Sequence, residues 1–226
     1  VTENPRVGGS IPPLATTSHS DFGIPSYRLV SWAVLQAVTK FLNEESVMAK
    51  AKDGKRADAI ALLKADHRKV EGLFKRYEKS KNEDVKGKLA EEICLELSVH
   101  TTIEEELFYP AVKGPVEEDI YDEAYVEHDG AKVLIAELLK GSVSDEFYDA
   151  KVTVLSEMIK HHVKEEEQPG GLFAQARKGD IDFVDLGNTM KSRKQELVAK
   201  IKSSGIPTPS TRSMKGAELN RSKPVD

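Results

Sequence analysis

Four histidines and two glutamates recur at one fixed offset, and that spacing constrains the fold more than any other feature of the chain. His67 plus 61 is His128, His100 plus 61 is His161, and Glu104 plus 61 is Glu165. Within each copy the first His precedes the second by 33 residues (67 to 100, 128 to 161), and the second opens an HxxxE pair, His100-Thr-Thr-Ile-Glu104 and then His161-His-Val-Lys-Glu165. Four of the six histidines fall into this pattern, so it is not a by-product of a histidine-rich composition. Imidazole with carboxylate is a ligand set for two cations held side by side, iron first among them, with manganese or zinc as substitutes on the same donors.

The hydrophobic periodicity places these residues on helices. Asp58 is a suitable N-cap for a helix running to Lys79, with Leu62, Leu63, Val70, Leu73, Phe74 and Tyr77 as its apolar stripe. Ser80 to Asp84 reads as a turn, and the next helix runs to about Tyr109 and stops at Pro110. Its inner face reads Ile93, Leu97, His100, Glu104, Phe108. A third helix covers about 117–140 and ends at Gly141. The fourth runs to about Gln168, with an inner face of Val154, Met158, His161 and Glu165.

Folded on these turns, the ligands meet. Residues of an antiparallel hairpin share a height when the turn lies midway between them. The midpoint of His67 and His100 is 83.5, inside the first turn, and that of His128 and His161 is 144.5, inside Ser142–Asp145. The midpoint of Glu104 and His128 is 116, beside Gly114-Pro115. The expected fold is therefore all-α, an up-down-up-down four-helix bundle over residues 57–170. A flexible tail (1–25) and an N-terminal helix with its linker (26–56) precede it. A C-terminal helical extension (171–202) and a disordered tail (203–226) follow. Within the bundle, His67, His100, Glu104, His128, His161 and Glu165 are the expected ligands. Two metals a few ångströms apart, bridged by Glu104 and Glu165 with two histidines each, fill such a site. Water, hydroxide or oxo completes the shells.

The same motifs carry a family resemblance. Asp66-His67, His100-Thr-Thr-Ile-Glu104-Glu105-Glu106-Leu-Phe-Tyr-Pro110, Glu127-His128-Asp129 and His161-His-Val-Lys-Glu165-Glu166 resemble the hemerythrin-like family, specifically its HHE cation-binding branch, over about half the chain. The resemblance implies a hemerythrin-like bundle with a non-haem di-iron centre that binds O2 or reacts with peroxide or nitric oxide. The chain departs from the oxygen-carrying hemerythrins, which use HxxxH on the third helix and HxxxxD on the fourth. Here Lys132 stands four residues after His128, and the fourth helix carries HxxxE. That puts reversible O2 carriage in doubt and brings the pattern closer to proteins linked with iron sensing, iron handling and oxidative or nitrosative stress. A ferritin-like site needs Glu-x-x-His on two helices. The required positions hold Leu97 and Met158, so that reading fails.

The neighbouring polar residues receive lesser roles. Glu96 and Glu157 match by 61 and stand one turn before the expected ligand histidines, where they could accept the free ring N–H, though a solvated salt-bridge role is the favoured one. His162 matches Thr101 and is read as a residue beside the ligands or at the surface. Glu105 and Glu166 lie off the expected inner face and read as solvated or supporting groups. Asp66, Glu127 and Asp129 read as surface charges near the mouth of the site, Tyr109 and Tyr125 as packing at helix ends, and Cys94 as core filler.

Composition excludes other classes. A net charge of −5 and the lack of a basic stripe argue against a nucleic-acid surface. The single Cys94 excludes an intramolecular disulfide and a Cys-rich metal site, which fits a cytoplasmic protein. The apolar run from Leu29 to Val38 is too short for a membrane span. The 26–50 helix, with Val30, Val34, Val38 and Leu42 in line, is read as packing on the domain or on a second copy in a homo-oligomer. The expected function is binding of iron and O2, or sensing of iron, oxygen or nitric oxide. A di-iron enzyme consuming peroxide or O2 is the alternative, with a metal-stabilised structural or regulatory bundle as the third reading. No nucleophile constellation favours turnover.

Overall fold

A computed structural model describes residues 58–216. The expected tail, helix and linker up to residue 56 lie outside the described residues, as do residues 217–226. The described chain is helical: α1 (Ala59–Lys79), α2 (Glu83–Ile103), a π-helical turn (Glu104–Phe108), α3 (Tyr109–Val112), α4 (Glu118–Lys140), α5 (Tyr148–Glu167), α6 (Leu172–Ala176) and α7 (Phe183–Ser204). Helices α1, α2, α4 and α5 form the up-down-up-down bundle, and α7 packs across α1 and α2.

The ends of the first hairpin are set by side-chain caps. Asp58 Oδ1 accepts from Ala61 N at 2.9 Å to start α1, and Asn82 Oδ1 accepts from Val85 N at 3.0 Å to start α2. Each cap satisfies an amide that the helix itself leaves unpaired. Glu83 and Asp84 add negative charge at the positive end of α2.

The second helix does not end at Pro110. Proline has no N–H to give to the carbonyl four residues back, and its ring crowds that carbonyl. The chain widens into the π turn just before it, with Tyr109 N–H donating to Glu104 O, and continues helically to Val112. The wider i→i+5 pattern stacks Tyr109 above Glu104. Phe108 and Tyr109 both end up fully buried.

The core is divided into two. One apolar cluster, including Leu73, Phe74, Ile93, Leu97, Ile135, Leu155 and Ile159, fills the bundle toward the two hairpin turns. A second, including Leu63, Ile103, Phe108, Tyr125, Leu172, Phe173 and Met190, fills the opposite end. The short helix α6 supplies Leu172 and Phe173 to it. Between the two lies a layer of buried histidine and glutamate.

Candidate metal centre

The polar layer draws on each of the four bundle helices. His67 comes from α1, His100 and Glu104 from α2 and its π turn, His128 from α4, and His162 and Glu166 from α5. All six are at most 4% exposed. The histidines point their Nε2 atoms inward as two pairs: His67 and His100 at 3.2 Å, and His128 and His162 at 3.3 Å. The two carboxylates lie between the pairs. Glu104 Oε2 is 3.1 Å from His100 Nε2 and 3.3 Å from His128 Nε2. Glu166 Oε2 is 3.3 Å from His67 Nε2, and its Oε1 is 3.7 Å from His162 Nε2.

These donors form two adjoining groups that share Glu104: His67, His100, Glu104 and Glu166 in one, and Glu104, His128 and His162 in the other, with the donor atoms of each within 4.8 Å of one another. Both oxygens of Glu104 and Oε2 of Glu166 have no hydrogen-bond partner in the protein. A carboxylate buried without a partner is costly, and a cation between the histidine pairs removes that cost. The donors fit a metal by type, by convergence and by the presence of these orphaned oxygens.

The outward nitrogens are also engaged. His67 Nδ1 is 2.7 Å from Glu167 Oε1, His128 Nδ1 is 3.0 Å from Glu105 Oε1, and His162 Nδ1 is 2.8 Å from Glu127 Oε2. His100 Nδ1 faces Asp66 Oδ2 at an ion-pair distance of 3.7 Å. His67, His128 and His162 therefore each have a carboxylate within hydrogen-bond reach of Nδ1, which leaves Nε2 to face a metal, whereas His100 Nδ1 has no hydrogen-bond partner.

Charge within the layer is strongly coupled. Burial opposes an imidazolium at His100, but Glu104 and Asp66 outweigh it and push its pKa up to about 10. At His162 burial is again outweighed, by Glu166 and Glu127, and the pKa rises to about 8. Burial opposes the charged form of Glu104 as well, yet His100 and His128 hold its carboxyl well below the usual range. Tyr109 Oη stands 3.2 Å from both His128 Nε2 and Glu166 Oε1. Burial and the charges of Glu104 and Glu166 push its pKa well above the ordinary phenol value, so it stays a neutral donor.

Residues 58–169 match the family described as hemerythrin HHE cation binding domain. The chain belongs to that family. A crystal structure of a hemerythrin HHE cation binding domain-containing protein, a homologue from Mycobacterium kansasii, is 23% identical with a TM-score of 0.55, covering 66% of this chain and 94% of that one, and shows the shared fold. A DNA nickase from Nostoc sp. (strain PCC 7120) is 28% identical over 116 residues, 51% of this chain. The match takes in 32% of that relative, so the chain spans about a third of its length.

Within this hemerythrin HHE domain the structure brings together His67, His100, Glu104 and His128, as the spacing predicts, but not His161 and Glu165. His161 is exposed and pairs with Glu127 Oε1 at 3.3 Å on the surface. Glu165 accepts from Gln168 Nε2 at 2.6 Å. Their places are taken by His162 and Glu166, one residue on. The cause is the apolar face of α5. Val152, Leu155, Ile159 and Val163 are buried, whereas Val154 is 46% exposed, and a shift of one residue turns a helix by about 100°. The sequence His161-His162-Val-Lys-Glu165-Glu166 holds two overlapping HxxxE pairs, and the fixed offset selects the outer one. That offset fails because the hairpins differ. Residues 80–82 join the first pair of helices and residues 141–147 the second.

Glu96 and Glu157 take the salt-bridge or solvated role, and the carboxylates behind the imidazoles are others. Glu96 pairs with Lys69 at 2.9 Å and approaches Lys194 at 3.8 Å rather than any histidine, and Glu157 is exposed. Asp66, Glu127 and Glu105 do face ligand imidazoles, and Asp66 is further held by Lys194. Glu167, which spacing does not single out, accepts from His67 and Arg68. The signal for it was the acidic run at the end of α5. Replacing Glu127 with alanine is expected to weaken metal binding about 10- to 100-fold by freeing His162. Competition against a chromophoric chelator measures this, with the neighbouring exposed Glu123→Ala as control.

Proposed function

We propose that this domain holds two iron ions, one on His67 and His100 and one on His128 and His162, with Glu104 and Glu166 bridging between them, and that it binds or senses O2, peroxide or nitric oxide at that centre. The observation that carries this reading is the pair of buried carboxylates with orphaned oxygens lying between two converging histidine pairs. Six protein donors leave two octahedral ions short of ligands, so small molecules have room to bind. Iron supplies redox chemistry and open coordination; manganese or zinc on the same donors would supply only part of it.

The protein's own contribution is to orient, shield and hold protons. Phe173 stacks on His67 with ring centroids 5.9 Å apart, and Phe108 meets Phe173 edge-on, closing the layer on that side against water. Tyr109 holds a proton at Oη directly beside His128 and Glu166. A small anion bound between the ions at that point would accept from the phenol. Tyr109→Phe should therefore leave metal content unchanged and weaken azide binding by about 10- to 100-fold, the worth of one hydrogen bond to a charged group.

The reading is tested by metal analysis with an optical spectrum after anaerobic loading with Fe(II). Two ions per chain and a spectral change on exposure to O2 support it; well under two ions per chain sinks the dinuclear assignment. The same buried proton on Tyr109 favours a second reading, disproportionation of peroxide to O2 and water, which needs no outside reductant, and stopped-flow mixing separates the two. A stable spectral change marks binding, and catalytic loss of peroxide marks an enzyme. Among the described residues no helix is long and apolar enough to cross a membrane. We read the protein as cytoplasmic, in keeping with one buried, free cysteine.

A further inference from the structure

The chain beyond α7 turns back onto the bundle. Gly205 leaves the helix in a left-handed conformation (φ 81°), and Ile206 packs against the core. Further on, the backbone closes around one buried carboxylate. Asp129, on α4 and fully buried, accepts at Oδ2 from the amides of Arg212 (2.8 Å), Ser213 (2.5 Å) and Met214 (3.1 Å) and from Ser213 Oγ (2.7 Å). The Arg212 guanidinium lies over the Tyr125 ring at 4.1 Å.

The other oxygen of Asp129 leads inward. Oδ1 accepts from Lys132 Nζ at 3.2 Å, and Lys132 Nζ donates to Glu105 at 2.7 and 2.9 Å. Glu105 Oε1 in turn faces His128 Nδ1 at 3.0 Å. A continuous line of charge-assisted hydrogen bonds therefore runs from a histidine of the metal centre to the backbone of residues 212–214. Such bonds are short and strong where water is excluded, and they reinforce one another along a chain.

We propose that residues 206–216 form a latch whose hold on α4 is set by metal occupancy at His128, through Glu105, Lys132 and Asp129. The proposal rests on the metal-centre reading above. A metal on Nε2 would anchor the His128 ring from the inner side, so that Nδ1 stays set against Glu105, and Glu105 in turn fixes Lys132 and Asp129. Without the metal the ring loses that anchor, and the line from Glu105 through Lys132 to Asp129 rests on the side chains alone. Metal loading tightens the segment and metal loss loosens it, which gives a bound ion a readout at the surface.

Amide hydrogen exchange on the full chain, with and without two Fe(II) per chain under anaerobic conditions, tests this. Exchange at residues 212–214 is expected to slow by about fivefold on loading, the worth of one hydrogen bond. Exchange in the 142–145 turn should not change. Lys132→Gln breaks the line without removing a ligand, so its metal content should stay the same and the difference at 212–214 should vanish. Asp129→Asn should release the segment in both states. Equal exchange with and without iron in the unaltered chain, or a difference that survives Lys132→Gln, overturns the latch while leaving the metal centre standing. Failure to take up iron, read by metal analysis alone, overturns both.

Discussion

Alanine at His162 or Glu166 is expected to strip at least one metal ion from the chain, whereas alanine at His161 or Glu165 leaves the metal load intact. The four substitutions lie within six consecutive residues of one helix, so differences in local helix propensity are small beside loss of a ligand. His162 is 3% exposed and Glu166 1%, and both face the other donors, while the His161 side chain is 56% exposed. Removing a group behind a ligand costs about 10- to 100-fold in affinity, and removing the ligand itself should cost more. Glu166→Ala deletes one of the two carboxylates between the histidine pairs and should lower affinity at both. Metal analysis after desalting reads all four variants side by side. Loss of metal in His161→Ala together with retention in His162→Ala would reverse the register of α5.

Loss of each metal ion is expected to lower the melting temperature by about 8–16 °C. At free metal a thousandfold above Kd one site stabilises the native state by about 4 kcal/mol, and each kcal/mol is worth about 2–4 °C in a domain of this size. The effect should depend on pH in a defined direction. In the metal-free protein His100 and His162 bind protons more tightly than the ordinary value of 6.5, with pKa values of about 10 and about 8. Raised folded-state values contribute stability that is fully present below 6.5 and lost as pH climbs through 8 and then 10. Metal and proton compete for the same nitrogens, so metal affinity rises over that window. The gap in melting temperature between loaded and metal-free protein should therefore widen from pH 6.5 to pH 9. Differential scanning calorimetry in the presence and absence of chelator reads both quantities, and a gap that narrows with pH contradicts the assignment of charge in the layer.

The bundle was legible in the sequence because its signals are local. Asp58 and the apolar stripe through Tyr77 mark α1, and the ladder Ile93, Leu97, His100, Glu104, Phe108 is buried throughout. The level of the site was legible too, since antiparallel hairpins turn spacing into height. Rotation was not, at least on α5. Height is insensitive to a shift of one residue, whereas the facing direction changes by about 100°. The buried residues Leu155, Ile159 and Val163 mark the inward side of α5, and His162 and Glu166 lie on it. The π turn left one trace, Pro110, which reads equally well as a helix end. The docked segment at 206–216 left none. Its prolines and serines look like a tail, and its anchor Asp129 lies on another helix, where a long-range hydrogen bond produces no periodicity.

The two separated apolar clusters carry a consequence for how the domain comes apart. The first cluster joins all four bundle helices, the second joins α1, α2 and α4 with the short helices α3 and α6 and with α7, and the layer between them consists of groups that repel or attract one another according to their protons. Seen this way, the bundle is two small cores in series, coupled through a junction whose stiffness is chemical rather than steric. A cation in the proposed centre would let the junction transmit strain, so that the ends melt as one. Without it, the end holding Phe108 and Phe173 would loosen before the end holding Leu73 and Ile135, and cooperativity itself would follow the occupancy of the centre.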